Sequence, residues 1–370
     1  MRNRLQRISI KGFKTINKLE DFEPRNLSVL IGPNGAGKSN FVSFFRLLSW
    51  TLTPPGNLQV HISELGGASS LLFDGPGKTR EIETDMALMT EAGENQYTFR
   101  LVVAAGDTLI FTDERYRFIR RALPAVPNWT ILDVGHHEAG IINRAESGDM
   151  TARTIHNLMR KLIVYQFHNT SETARIKSKW NIQDNRWLKW DAANLAPFLY
   201  RLKNSEPKFY QRILHTLRLI IPFFADFELE PEYNSILLRW RERNSDLVFN
   251  VSQAADGMLR VFALVTLLLQ PESDLPDVII LDEPELGLHP YAINIIAGLI
   301  KSVSNEVQVI LATQSVSLVD SFEPEDIVVV ERKGRESLFR RLEPTALKEW
   351  LEDYSLSELW EKNVIGGQPL

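Results

Sequence analysis

Residues Gly32-Pro33-Asn34-Gly35-Ala36-Gly37-Lys38-Ser39 match the pattern G-x-x-x-x-G-K-[ST] at every constrained position. An aliphatic run, Leu27 to Ile31, leads into them. The stretch that follows, Asn40 to Trp50, carries Phe41, Val42, Phe44, Phe45, Leu47 and Leu48. Strand, glycine-rich loop and a helix buried on most sides form the setting that this pattern requires. The glycines let successive backbone N–H groups turn toward phosphate oxygens, and the helix N-terminus adds partial positive charge. Asn34, Gly35, Ala36, Gly37, Lys38, Ser39 and Asn40 are therefore expected to line a triphosphate. Lys38 is expected to reach the β- and γ-phosphates and Ser39 to ligate Mg²⁺.

Downstream, Val278-Ile279-Ile280-Leu281-Asp282-Glu283 is an aliphatic strand ending in two carboxylates. This places Asp282 at the carboxyl end of a strand beside the P-loop strand, where it would orient the magnesium shell. Glu283 would position or activate the attacking water. ATP and Mg²⁺ are the expected ligands, and slow hydrolysis of ATP is the expected chemistry.

Composition narrows the rest. At 370 residues and 44% hydrophobic content the chain can bury one large α/β domain with an inserted lobe, or two domains. A formal charge of -5 is mild, so attraction to nucleic acid or anionic lipid would have to come from local patches. The absence of cysteine excludes disulfides, thiolate zinc sites and cysteine nucleophiles, and is compatible with a reducing compartment. Met1 to Lys18 lacks the apolar block of a signal peptide, and no later apolar run reaches membrane-spanning length. A cytoplasmic chain with no membrane partner is expected.

Alternation marks Leu5 to Ile10 as a strand, and Ile82 to Leu88 and Tyr97 to Phe111 as strands of an antiparallel side sheet. Pro54-Pro55-Gly56 ends the helix after the P-loop, and Pro124 and Pro127 break the chain again. Helical stretches follow at Thr151 to Leu162, Asp191 to Lys203 and Pro207 to Ile220. Strands are expected at Phe227 to Glu230, Ile236 to Arg241, Val307 to Ala312 and Asp326 to Glu331. Helices are expected at Gly257 to Leu269, Pro290 to Val303 and Ala346 to Trp360. The division that results is 1–115, an N-terminal core part with the side sheet; 116–225, an inserted helical lobe; and 226–370, a C-terminal core part with a short tail.

With these motifs in order, the chain resembles the ATP-binding-cassette (ABC) ATPases, and within them the RecF-like and SMC-like group often counted among AAA-family ATPases. Ile8-Ser9-Ile10-Lys11-Gly12-Phe13-Lys14-Thr15 looks like that group's first strand and turn. Asp282-Glu283-Pro284-Glu285-Leu286-Gly287-Leu288-His289-Pro290 looks like its Walker B and D-loop. Ala254-Ala255-Asp256-Gly257-Met258-Leu259-Arg260 stands where the family has its signature loop, with Ala255 at the usual serine position. The resemblance implies a P-loop NTPase fold of the ABC head type, α/β, with an antiparallel side sheet and a helical lid. It also implies that Asp256 and Gly257 meet the γ-phosphate held by a second copy. Gln314 occupies the switch-histidine position and is read as a sensor, because an amide cannot act as an acid at neutral pH. Tyr165 to Ser171, with His168, resembles the Q-loop segment.

The resemblance further implies a homodimer or higher homo-oligomer that assembles on ATP. Such an assembly would serve as the sensor or regulatory subunit of an anti-phage defence system, controlling a separately encoded effector, a nuclease. A RecF-like DNA-binding ATPase of repair or recombination is the alternative. Arg175, Lys177, Lys179, Trp180, Arg186, Trp187, Lys189 and Trp190 interleave bases with aromatics, and Arg115, Arg117, Arg120 and Arg121 form a second cluster. Either could bind DNA, RNA or an acidic protein; equally, the bases could be solvated surface and the tryptophans packing.

Overall fold

Strands covered on both faces read as unbroken aliphatic runs, and the strand leading into the P-loop is buried at every position. The computed structural model describes residues 3–52, 57–121 and 127–368. Pro54-Pro55-Gly56 and Pro124, which the sequence marks as breaks, lie outside them. Along the chain, β1 (Arg4–Phe13) and β2 (Ile16–Phe22) form a hairpin, and β3 (Leu27–Ile31) enters the P-loop. Next come α1 (Lys38–Thr51), α2 (Asn57–Glu64), β4 (Glu81–Met89), β5 (Gly93–Ala104), β6 (Thr108–Arg120) and β7 (Thr130–Ile131). The middle of the chain holds α3 (Gly140–Glu146), α4 (Met150–Met159), β8 (Leu162–Tyr165), β9 (Trp180–Asn181), α5 (Leu195–Ser205) and α6 (Pro207–Ile220). It continues through β10 (Phe224–Phe227), β11 (Ser235–Ile236), β12 (Arg239–Glu242) and β13 (Val248–Asn250). The last third holds α7 (Asp256–Leu269), β14 (Val278–Asp282), α8 (Pro290–Ser304), β15 (Gln308–Ala312), α9 (Val316–Val319), β16 (Ile327–Lys333) and β17 (Glu336–Arg341). Three short helices close it: α10 (Pro344–Leu347), α11 (Trp350–Asp353) and α12 (Leu356–Glu361).

The core sheet has the order β17-β16-β3-β15-β14-β8, parallel except for β17. Alternate residues of its strands feed two separate cores. Val29, Ile279, Leu281, Val309 and Leu311 face the side covered by α5, α6, α7 and α8. Leu30, Ile280, Ile310 and Val328 face α1 and the antiparallel sheet β2-β1-β4-β5-β6-β7. Helix α1 is thus wedged between two sheets, which is why its apolar residues surround it. Phe44 meets Phe13 and Phe41 meets Phe22, both edge to face, with ring centroids 5.2 and 5.3 Å apart.

Several elements differ from expectation, for local reasons. Tyr97 to Phe111 is not one strand: β5 turns into β6 at residues 105–107, where Gly106 and Asp107 have positive φ, yet the apolar alternation continues across the turn. Thr151 to Leu162 ends early, at Met159. Leu162-Ile163-Val164-Tyr165 instead adds an edge strand to the core sheet, so the 116–225 stretch is not wholly helical. Asp191 to Lys203 becomes a turn with Ala192 at φ 55° before α5 begins at Leu195. The strand expected at Phe227 to Glu230 runs Phe224–Phe227. Ile236 to Arg241 divides between β11, paired with β9, and β12, paired with β10. Strand β17 was not expected; it returns antiparallel on β16 through a turn containing Gly334. No helix among the described residues is long and apolar enough to cross a membrane.

One buried carboxylate holds the side sheet to α3. Glu114 is fully buried and accepts hydrogen bonds from Tyr97 Oη (2.8 Å), the Gly140 N–H (2.8 Å) and the Ile141 N–H (3.0 Å). Burial pushes its pKa up, against the pull of those three donors. Glu114→Ala strands all three donors without water, and is expected to lower unfolding free energy by about 3 kcal/mol or more. Urea denaturation with an unchanged m-value checks this.

Candidate active site

The P-loop follows β3 at the centre of the core sheet, and α1 begins at Lys38 directly after Gly37. Gly37 sits at φ 117°, and a Cβ there would lie 2.0 Å from Ser337 Oγ on β17. The underside of the loop is stapled to its surroundings. Ser337 Oγ lies 2.6 Å from Ala36 O and 2.7 Å from Thr15 Oγ1, Asn40 Nδ2 donates to Thr15 Oγ1 (2.7 Å), and Arg332 donates to Gly35 O (3.3 Å). Asn34, Gly35 and Ser39 are exposed on the open side, while Ala36, Gly37 and Lys38 are buried. The Lys38 ammonium donates to Gly32 O (2.5 Å) and Pro33 O (3.1 Å). Desolvation lowers its pKa, opposed by Glu283, Asp282 and Glu285.

Strand register brings the second motif to the loop. β15 lies between β3 and β14, with Ala312 opposite Leu30 on one side and Asp282 on the other. Asp282 therefore ends level with the start of the P-loop, and Ser39 Oγ donates to Asp282 Oδ1 at 3.5 Å. Arg46, two turns along α1 from Ser39, brings Nη2 to 3.9 Å from Asp282 Oδ2. Desolvation raises the Asp282 pKa, while Arg46, His168, Ser39 and Lys38 pull it down. Gln314 is exposed just past β15, on the same end of the sheet.

Glu283 follows with φ 44°, a conformation that costs a non-glycine residue about 1–3 kcal/mol. Two hydrogen bonds hold it: its N–H donates to Ala312 O (2.8 Å), and its carbonyl accepts from His168 Nε2 (3.1 Å). Behind it, Glu285 is buried and accepts from the Thr313 hydroxyl, which in turn accepts the Ser315 N–H at 2.9 Å. Burial raises the Glu285 pKa.

Asp256 and Gly257 open α7, and they are not bonded to the P-loop of their own chain. Ala255 and Asp256 are exposed. A Cβ on Gly257 would lie 2.9 Å from Gly287 O, so the start of α7 lies tight against the loop after β14. Arg260 reinforces this contact by donating to Leu286 O (2.6 Å) and His168 O (3.1 Å). Arg46 and Ser337 were not singled out in the sequence, and Thr15, Arg260 and Glu285 stood there only inside motif strings, without roles of their own. Arg46 alone carried a signal, as a charge among the apolar residues of α1.

The basic clusters are largely committed. Arg175 pairs with Asp191 (2.9 Å), Lys179 with Glu232 (2.5 Å) and Lys189 with Asp184 (2.7 Å); Arg175 and Lys189 also lie over the Trp180 ring. Arg115 and Arg117 lie over Trp129 at 5.1 and 4.2 Å. Trp187 and Trp190 are about half exposed. Among the described residues no group of three or more His, Cys, Asp or Glu is placed to hold a metal ion.

A P-loop on a central parallel strand, carboxylates on the next strand but one, and an antiparallel sheet over the P-loop helix define an ATP-binding-cassette head. The model of the family described as "AAA domain, putative AbiEii toxin, Type IV TA system" matches residues 27–320, and the chain belongs to that family. Its fold is shared with SMC heads. An SMC head bound to the C-winged helix domain of ScpA superposes with a TM-score of 0.60 at 16% identity, covering 93% of this chain and 99% of that one. A head with an extended coiled coil, bound to the C-terminal domain of ScpA from Pyrococcus furiosus, gives 0.59 at 14%, covering 95% and 99%. The head domain from Thermotoga maritima gives 0.50 at 14%, covering 92% and 99%. A search of curated proteins returned no match.

Proposed function

We propose that the chain binds ATP with Mg²⁺ and hydrolyses it slowly, as a switch by which two copies assemble and control a separate effector protein. The observation that carries this reading is the convergence of Ser39, Asp282 and Glu283 at the mouth of the P-loop. A serine hydroxyl and a carboxylate are hard oxygen donors of the kind Mg²⁺ prefers, and the loop leaves no room for a Cβ at Gly37. These residues fit the group.

Mg²⁺ held by Ser39, with Asp282 orienting its shell, would neutralise phosphate charge. Lys38 would exchange the carbonyls of Gly32 and Pro33 for phosphate oxygens, and the Asn34 to Asn40 backbone would supply further donors. Glu283 would orient a water molecule and accept its proton, with Gln314 sensing the γ-phosphate. The outward-facing start of α7, with Asp256 and Gly257, supports completion of the site by a second copy. Without a serine at Ala255, that contact would rely on backbone donors, which favours slow turnover.

The effector reading draws on the toxin–antitoxin description of the family and on the protein partner, ScpA, named for the SMC heads. A nuclease effector and an anti-phage role extend it. Direct DNA binding through the Trp180 to Trp190 segment has less support, because Arg175, Lys179 and Lys189 already have acidic partners.

Lys38→Ala tests the reading. It removes a charged donor to phosphate and is expected to weaken ATP binding roughly 10–100-fold, at an unchanged melting temperature. Titration with a fluorescent ATP analogue measures this; unchanged affinity overturns the reading.

A further inference from the structure

We infer that His168 is a positioning residue for Glu283: its ring holds the left-handed Glu283 peptide in place and so fixes where the Glu283 carboxylate lies. This deepens the ATPase reading above and rests on it.

Both nitrogens of the His168 ring are engaged. Gln166 Nε2 donates to Nδ1 at 3.2 Å, and Nε2 donates to the Glu283 carbonyl at 3.1 Å. The two bonds agree on one tautomer, with the proton on Nε2. With both positions in use, the ring has no donor left for a phosphate oxygen; it also acts on the nearby Asp282 carboxylate, but its hydrogen bond is to Glu283. The peptide it grips is the one in need of support, because Glu283 is a non-glycine residue at φ 44° and its N–H is tied to Ala312 O on the opposite side. One anchor on each of the two peptides flanking its Cα leaves the side chain little choice of direction.

His168 is itself fixed from behind. Its carbonyl accepts from Arg260 Nη2, while Nη1 of the same guanidinium donates to Leu286 O, three residues past Glu283. Gln166 is held too, through its N–H to Trp190 O (3.0 Å). The end of β8, the loop after β14 and the start of α7 thus meet at one residue, His168. Packing alone would not ask for a ring with a donor and an acceptor on opposite sides.

The test uses His168→Leu, which has no donor, and His168→Gln, which keeps an N–H at similar reach, each in the full chain. His168→Leu is also combined with Glu283→Gln. Single-turnover hydrolysis, affinity for a fluorescent ATP analogue and melting temperature are measured. His168→Leu is expected to slow hydrolysis on the order of 10–100-fold with ATP affinity unchanged, because the carboxylate is misplaced while the phosphate contacts are intact. His168→Gln should recover most of the rate. In the Glu283→Gln background, His168→Leu should cost nothing further, since residues acting as a unit are not additive.

A wild-type rate in His168→Leu, equal losses in the Leu and Gln variants, or a multiplied loss in the double variant each overturn the inference. So does a His168→Leu protein that melts lower and binds ATP more weakly in step. If Glu283→Gln itself hydrolyses at the wild-type rate, the role of Glu283 fails, and the positioning role of His168 falls with it.

Discussion

Glu283→Gln is expected to bind ATP as tightly as wild type, to hydrolyse it about 10²–10⁴-fold more slowly, and to accumulate the ATP-bound assembly. The substitution keeps side-chain length and shape but removes the carboxylate proposed to take a proton from water. It leaves untouched Lys38, Ser39 and the P-loop backbone, the groups proposed to hold the phosphates. Lys38, whose pKa desolvation lowers, also loses one of the carboxylates that raise it, while Asp282 and Glu285 remain. With hydrolysis slowed, any state that forms only on ATP should persist, so light scattering in excess ATP should report the mass of two chains. Hydrolysis at the wild-type rate would remove Glu283 from the chemistry. A one-chain mass with ATP retained would remove the assembly and leave the ATP site standing.

The parts of this molecule that were legible in the sequence are those whose signal is contiguous. β3 and β14 are buried at every position, so each reads as a largely aliphatic run, with Ser28 the one polar residue of β3, and the P-loop and Asp282-Glu283 stand at their carboxyl ends. The hairpin of β5 and β6 was hidden because both strands keep one alternation through Gly106-Asp107. β8 is four residues long, too short to show a period, and only its pairing with β14 makes it a core strand. The site contacts that went unread share a different reason. Arg46 meets Asp282, Arg260 meets His168 and Leu286, and Ser337 meets Ala36 and Thr15, each across a long stretch of chain. No local spacing encodes such pairs; sheet register does. Gly257, likewise, lies against Gly287, far along the chain.

Those long-range staples give the other large expected effect: Gly37→Val should abolish measurable ATP binding. Gly37 adopts φ 117°, which a β-branched residue resists. Its Cβ would also lie 2.0 Å from Ser337 Oγ, 2.8 Å from Ser337 Cβ and 2.9 Å from Thr15 Oγ1. Ser337 has little room to retreat, because its N–H donates to Thr15 O (2.8 Å) and its hydroxyl is held between Ala36 O and Thr15 Oγ1. Relief must come from the loop, which swings its N–H groups and Lys38 out of register with α1. Strain and overpacking together cost about 2–6 kcal/mol, and if the loop takes up most of it, affinity falls by two orders of magnitude or more. Ser337→Gly provides the control. It removes the two closest contacts and leaves only Thr15 Oγ1 at 2.9 Å, so the double variant Gly37→Ala with Ser337→Gly should bind ATP more tightly than Gly37→Ala alone. Equal affinities in those two proteins would show that backbone conformation, and not the contact with β17, sets the requirement for glycine at this position.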